Sequence, residues 1–194
     1  MNKNRLEAFS DGVLAIIITI MVLEMQVPEE ATFEALLKLF PIFISYILSF
    51  IYVGIYWNNH HHMMHTVKHV TGGILWANLH LLFWLSLIPF VTAWIGEHHF
   101  APFPMLMYGF ILLMCAIAYY LLQNLIIREH GTNSILAKVV GKDYKGKISV
   151  ILYLTATIST YYHEIISGII YVLVALMWLI PDKRIEKAFQ KEEE

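Results

Sequence analysis

The chain has 194 residues, of which 58 % are hydrophobic and 14 % charged, with a mean hydropathy of +0.61. A soluble domain averages roughly 45–50 % apolar and about 25 % charged residues. One as apolar as this would expose patches large enough to aggregate, so the composition excludes a soluble fold and assigns the excess apolar surface to lipid. The net charge of −2 gives no reason to expect nucleic acid as a partner, and Cys115, the one cysteine, can form no intramolecular disulfide.

In chain order, Lys3 and Arg5 precede a first apolar stretch at 6–25, ended by Pro28 and a run of glutamates. That order suits a secretory leader, but Glu24-Met25-Gln26-Val27-Pro28 lacks a small-x-small cleavage site, so the helix is expected to stay. A second stretch, 36–57, is read as closing in a histidine-rich loop, and a third and fourth follow at 73–95 and 105–127. Each approaches the ~20 residues that cross about 30 Å of hydrocarbon at 1.5 Å per residue. The last apolar region, 148–180, is interrupted near its middle by His163-Glu164. It is read as two helices, 148–162 and 165–180, each only about 15–16 residues and slightly short for a crossing.

Charge decides the parity. With six spans, Lys3, Arg5, Lys68, Arg128, Lys138, Lys142, Lys145, Lys147, Lys183, Arg184, Lys187 and Lys191 share one side, against Lys38 alone on the other. The positive-inside rule then places both termini in the cytoplasm. One long helix in place of the last pair would put the basic tail outside. The expected fold is therefore all-α: a polytopic membrane protein with six transmembrane helices per subunit in one domain, 1–182, and a charged cytoplasmic tail, 183–194. Short loops leave no room for a soluble domain, and no nucleophile–base set suggests an enzyme.

Ionisable residues inside a membrane are costly and usually functional. On the first helix, Gly12, Ile16, Thr19, Ile20 and Leu23 fall within a sector of roughly 100°, and Asp11 lies more than a third of a turn away. That aliphatic face with one hydroxyl suits lipid or core contact as readily as a pore. Asp11 needs a partner or water. Trp57, Asn58, Asn59 and His60 at the end of the second helix, Trp76 and Asn78 at the start of the third, and Arg5 all lie near its depth.

Arg5-x-x-x-Phe9-Ser10-Asp11-Gly12 at the start of the first helix resembles the signature of the transmembrane protein 175 family, the endolysosomal potassium channels and their bacterial relatives. Trp57-x-x-His60, Trp76-x-Asn78, Pro89-Phe90 and the short final pair of helices match the same pattern, so the resemblance covers essentially the whole chain. It implies a bacterial single-repeat subunit that assembles as a homotetramer in the plasma membrane, with the first helix of each subunit lining a central pore and no backbone-carbonyl filter. Carried onto this chain, the narrowest ring is Ile16, with Ile20 and Leu23 forming further rings outward and Thr19 supplying a hydroxyl. Arg5, Phe9, Ser10, Asp11, Trp57, His60, Trp76 and Asn78 form the network that fixes the pore helix. Potassium is the implied permeant and no cofactor is expected; other monovalent cations and protons stay open as permeants. At the outer mouth Glu24, with Glu29, Glu30 and Glu34, could concentrate cations.

A rival reading starts from His60, His61, His62, His65 and His69. His61, His65 and His69 would share a face if that stretch were helical, a spacing that can bind zinc or copper, and a metal-ion or proton transporter would follow. A non-transporting scaffold is the remaining alternative.

Overall fold

The computed structural model describes residues 2–141 and 143–179. Lys142, Ile180 at the end of the sixth expected span, Lys183, Arg184, Lys187, Lys191 and the expected tail 183–194 lie outside the described residues. Among the described residues the elements are helical: α1 (Lys3–Leu23), α2 (Phe33–Lys38), α3 (Phe40–His65), α4 (Gly72–Ser86), α5 (Ile88–Glu97), α6 (Pro102–His130), α7 (Ile135–Val140), α8 (Tyr144–Ser159) and α9 (Glu164–Leu179).

Local chemistry sets the boundaries. The Asn2 side chain accepts from the Asn4 N–H at the start of α1, Thr32 and Thr71 do the same for α2 and α4, and Asp143 caps α8 through the Gly146 N–H. Proline opens α3 and α6 in the first turn, where its missing N–H has no helical partner to lose. Pro89 acts inside an apolar run. Its ring cannot donate and crowds the preceding turn, so the third stretch breaks at Leu87 into α4 and α5.

Among the described residues four segments, Lys3–Leu23, Phe40–His65, Gly72–Glu97 and Pro102–His130, are long and apolar enough to cross a membrane, and α9 is a shorter apolar helix. The protein is an all-α, multi-pass membrane protein. The second span differs from its sequence reading at both ends. Leu36 and Leu37 belong to the separate α2, and α3 continues to His65, because the histidine stretch contains neither Pro nor Gly and polar side chains alone do not stop a helix. At 16 residues each, α8 and α9 would run about 24 Å at 1.5 Å per residue. They form an antiparallel hairpin. Its turn end is pinned where Ser167 Oγ donates to the Ala156 carbonyl (2.7 Å) beside Thr160, and its open end where Trp178 Nε1 donates to Ser149 Oγ (2.8 Å).

The core lies around α6, which packs on α4, α5, α8 and α9, while α1 packs on α3, α4 and α5. Two glycines permit the closest approaches. A Cβ at Gly96 would lie 2.6 Å from the Cα of Ile42, so α5 meets the α3 backbone directly; one at Gly109 would overlap the Tyr171 hydroxyl. Beside the first contact, Thr92 Oγ1 donates to Ser49 Oγ (2.7 Å), which lies 3.0 Å from the Tyr108 hydroxyl. Buried hydroxyls thus satisfy one another between α3, α5 and α6.

Candidate pore-lining helix and its polar clamp

Helix α1 has two distinct faces. Leu6, Ser10, Leu14, Ile17 and Met21, spaced three and four apart, are buried against the other helices. Gly12, Ile16, Thr19, Ile20 and Leu23 are all exposed in the single chain. Ile16 is 58 % exposed and Leu23 77 %, a state that water would penalise and that lipid or neighbouring helices would relieve. Thr19 turns its hydroxyl back onto the Ile16 carbonyl at 2.9 Å, and nothing approaches within 4 Å of where a Cβ would stand at Gly12.

The N-terminal half of α1 is held by polar side chains on two helices. Ser10 Oγ, fully buried, donates to the Leu6 carbonyl (2.9 Å) and accepts from Asn78 Nδ2 (2.9 Å); Asn78 Oδ1 lies 2.7 Å from His60 Nε2. With the Asn78 amide donating to Ser10, its oxygen faces His60, which places the imidazole proton on Nε2. Each donor then points the same way, from α3 through α4 to α1, and no buried side-chain polar atom is left without a partner among the described residues.

Asp11 sits outside this chain. Its Oδ1 accepts from Trp57 Nε1 on α3 at 3.0 Å, away from the exposed aliphatic face. The indole is therefore its hydrogen-bond partner, chosen from the several groups at its depth. A further tie was not legible in the sequence: Lys3 Nζ donates to the His65 carbonyl at the end of α3 (3.0 Å) and approaches Glu7 at 4.0 Å.

The remaining expected network residues stand apart in the single chain. Phe9 is 52 % and Trp76 75 % exposed, and Arg5 is exposed with no ion pair to Asp11. Glu24 is exposed just beyond α1 and shares an open groove with Ile20, Phe90, Trp94 and Glu97. The histidines do not converge. His61 and His65 lie ring to ring at 6.0 Å, but α3 ends before His69, which stacks instead on His130 with ring centroids 4.5 Å apart. Among the described residues no three His, Cys, Asp or Glu side chains gather closely enough to hold a metal ion.

These features meet known proteins at the same helices. The family model described as endosomal/lysosomal potassium channel TMEM175 matches residues 5–89, which hold all but the first two residues of α1 and the clamp residues from α3 and α4. A potassium channel of Chryseobacterium sp. (strain P1-3) is 58 % identical over 191 residues, covering 98 % of this chain and 100 % of that one. A potassium channel of Streptomyces collinus is 37 % identical over 103 residues, half of each chain. The crystal structure of a lysosomal potassium-selective channel TMEM175 homolog from Chamaesiphon minutus superposes with a TM-score of 0.79 at 27 % identity, covering 93 % of this chain and 97 % of that one. The chain belongs to the TMEM175 family, a family of potassium channels and not of enzymes.

Proposed function

We propose that this chain forms a potassium-permeable channel as a homotetramer in a bacterial plasma membrane, with α1 of each subunit lining the central path. Each subunit would cross the membrane six times within one domain, 1–182, the fifth and sixth crossings made by the short α8–α9 hairpin. The skew of lysine and arginine supports cytoplasmic placement of both termini, with 183–194 as a cytoplasmic tail.

One observation carries this reading: α1 leaves Gly12, Ile16, Thr19, Ile20 and Leu23 uncovered while Ser10 and Asp11 are gripped from behind. One such helix cannot enclose a path, whereas four around a symmetry axis can. In that arrangement Ile16 supplies the narrowest ring and Ile20 and Leu23 further rings. A narrow apolar neck closes by expelling water. It offers an ion nothing in place of its hydration shell, so discrimination rests on dehydration, which favours potassium over the more tightly hydrated sodium. The Thr19 hydroxyl stands beside the neck, and Glu24 raises the local cation concentration outside.

The test is passive flux. Purified protein in liposomes should carry potassium down its gradient without an energy source, faster than sodium, and should have the mass of four chains in detergent. Absence of cation flux under every ionic condition would remove the channel reading, and a saturable metal-coupled flux would replace it with a transporter.

A further inference from the structure

Away from α1, a groove of about 540 Å³ runs between the start of α6 and the first half of α9. Its apolar wall is Phe100, Met105, Ile165, Ile169 and Leu173, and its floor is Gly168, where the missing side chain leaves the depth. Its polar side chains, His99 and Glu164, belong to the α5–α6 turn and to the first residue of α9. Polarity therefore collects toward one end. From Glu164 to Leu173 a helix advances about 13 Å, close to half of the ~30 Å hydrocarbon core. The groove matches one leaflet in depth.

We propose that this groove is a binding site for one membrane phospholipid with an ethanolamine headgroup. The proposal rests on the membrane placement of α9 given above. An acyl chain lies along Ile165, Ile169 and Leu173 over Gly168, the phosphate meets His99, and the primary ammonium meets the Glu164 carboxylate.

Three observations set the headgroup end. Tyr161 and Tyr162 in the neighbouring α8–α9 turn are 81 % and 83 % exposed, as amphipathic rings at headgroup level are. His99 and Phe100 both adopt the left-handed backbone conformation, φ 51° and 61°, which non-glycine residues seldom hold in succession. The turn is fixed by the Phe100 N–H on the Ile95 carbonyl (3.0 Å) and the His99 N–H on the Gly96 carbonyl (3.3 Å). Finally, Glu164 keeps its side chain 40 % exposed, with the His163 ring 3.9 Å away.

The carboxylate selects among lipids. A primary ammonium donates charge-assisted hydrogen bonds to it. The quaternary ammonium of a choline headgroup has no N–H to donate and favours aromatic faces. A purely anionic headgroup meets like charge at Glu164.

The experiment is native mass spectrometry of the detergent-purified protein after exposure to equal amounts of dioleoyl phosphatidylethanolamine and dioleoyl phosphatidylcholine. One lipid per chain should be retained, with about a tenfold preference for ethanolamine, the ratio that one charge-assisted hydrogen bond supports. Glu164→Gln should keep lipid but abolish the preference. Gly168→Leu should lose both lipids with its fold intact, since a Cβ there meets only the flexible tip of Met105 at 3.5 Å. Equal retention of the two lipids by the wild type, an unchanged preference in Glu164→Gln, or no retained lipid would overturn the proposal. Because lipid retention is read rather than flux, failure of the channel reading leaves this test intact.

Discussion

Replacing Asn78 by leucine removes the centre of the buried chain that joins α1, α4 and α3. Asn78 is fully buried, gives a 2.9 Å bond to Ser10 and faces His60 at 2.7 Å. Leucine is near in size, so little cavity opens and the loss is mainly polar. Ser10 keeps its bond to the Leu6 carbonyl and forfeits one accepted bond, about 1 kcal/mol. His60, 2 % exposed, is left with a buried Nε2–H and no acceptor, about 1–3 kcal/mol. Together these amount to roughly 3 kcal/mol. For a chain of this size that is a fall of about 6–12 °C in Tm at fixed scan rate. Trp57→Phe removes only the indole bond to Asp11, where Trp57 is 47 % exposed and water can replace it, and should cost about 1 kcal/mol or less. The assay is thermal unfolding of the detergent-purified protein, with His60→Leu/Asn78→Leu as the double variant. That double variant should recover part of the loss, because the stranded imidazole is gone. An Asn78→Leu protein that melts with the wild type, or above Trp57→Phe, would refute the clamp.

Three other substitutions separate pore from packing. Ile16→Asn places a polar ring where the neck should dewet. Lowering that barrier by about 1.4 kcal/mol raises flux roughly tenfold, and potassium-over-sodium discrimination should fall in the same liposome assay. Gly96→Ala drives a methyl to 2.6 Å from the Ile42 Cα and 2.9 Å from Ser45 Oγ. Backbone cannot yield as a side-chain tip does, so about 1–3 kcal/mol of stability should be lost. Gly168→Ala, with only the Met105 methyl nearby, should gain a few tenths to ~1 kcal/mol through reduced chain entropy, and the two melts should lie on opposite sides of the wild type.

The spans at α1 and α6 were legible because each is an unbroken apolar run bounded by charge or proline, whereas α3 was legible as a span but not at its ends. The clamp was legible only as a set of candidates. Depth along the helices brings Trp57, His60, Asn78 and Arg5 near Asp11, but choosing the indole needs the relative rotation of α1 and α3. The histidine stretch misled because a run of polar side chains resembles a loop, whereas the backbone from Asn58 to His65 has nothing to stop it. Phe9 and Trp76, expected inside the network, are exposed in the single chain, where a neighbouring subunit would reach them in the proposed tetramer. The hydroxyl cluster of Ser49, Thr92 and Tyr108 had no sequence signal. Three unremarkable residues on three helices become neighbours only when α5 closes on α3 at Gly96.

The polar grip on α1 ends at Asp11, more than a turn before Ile16, so the proposed lining is held by apolar packing, at buried Leu14, Ile17 and Met21 with Val13 and Ile18 partly buried beside them. Cysteine accessibility tests that assignment most directly, since Cys115 is the one native cysteine and is fully buried. In a Cys115→Ser background, single cysteines at Thr19, Leu23, Leu14 and Ile17 are exposed to a membrane-impermeant, charged thiol reagent while potassium flux is recorded. Modification at Thr19 and Leu23 should change the flux, and cysteines at Leu14 and Ile17 should stay unreacted. Flux indifferent to reagent at Thr19 and Leu23, or altered by it at Leu14 and Ile17, would contradict a pore lined by this face of α1.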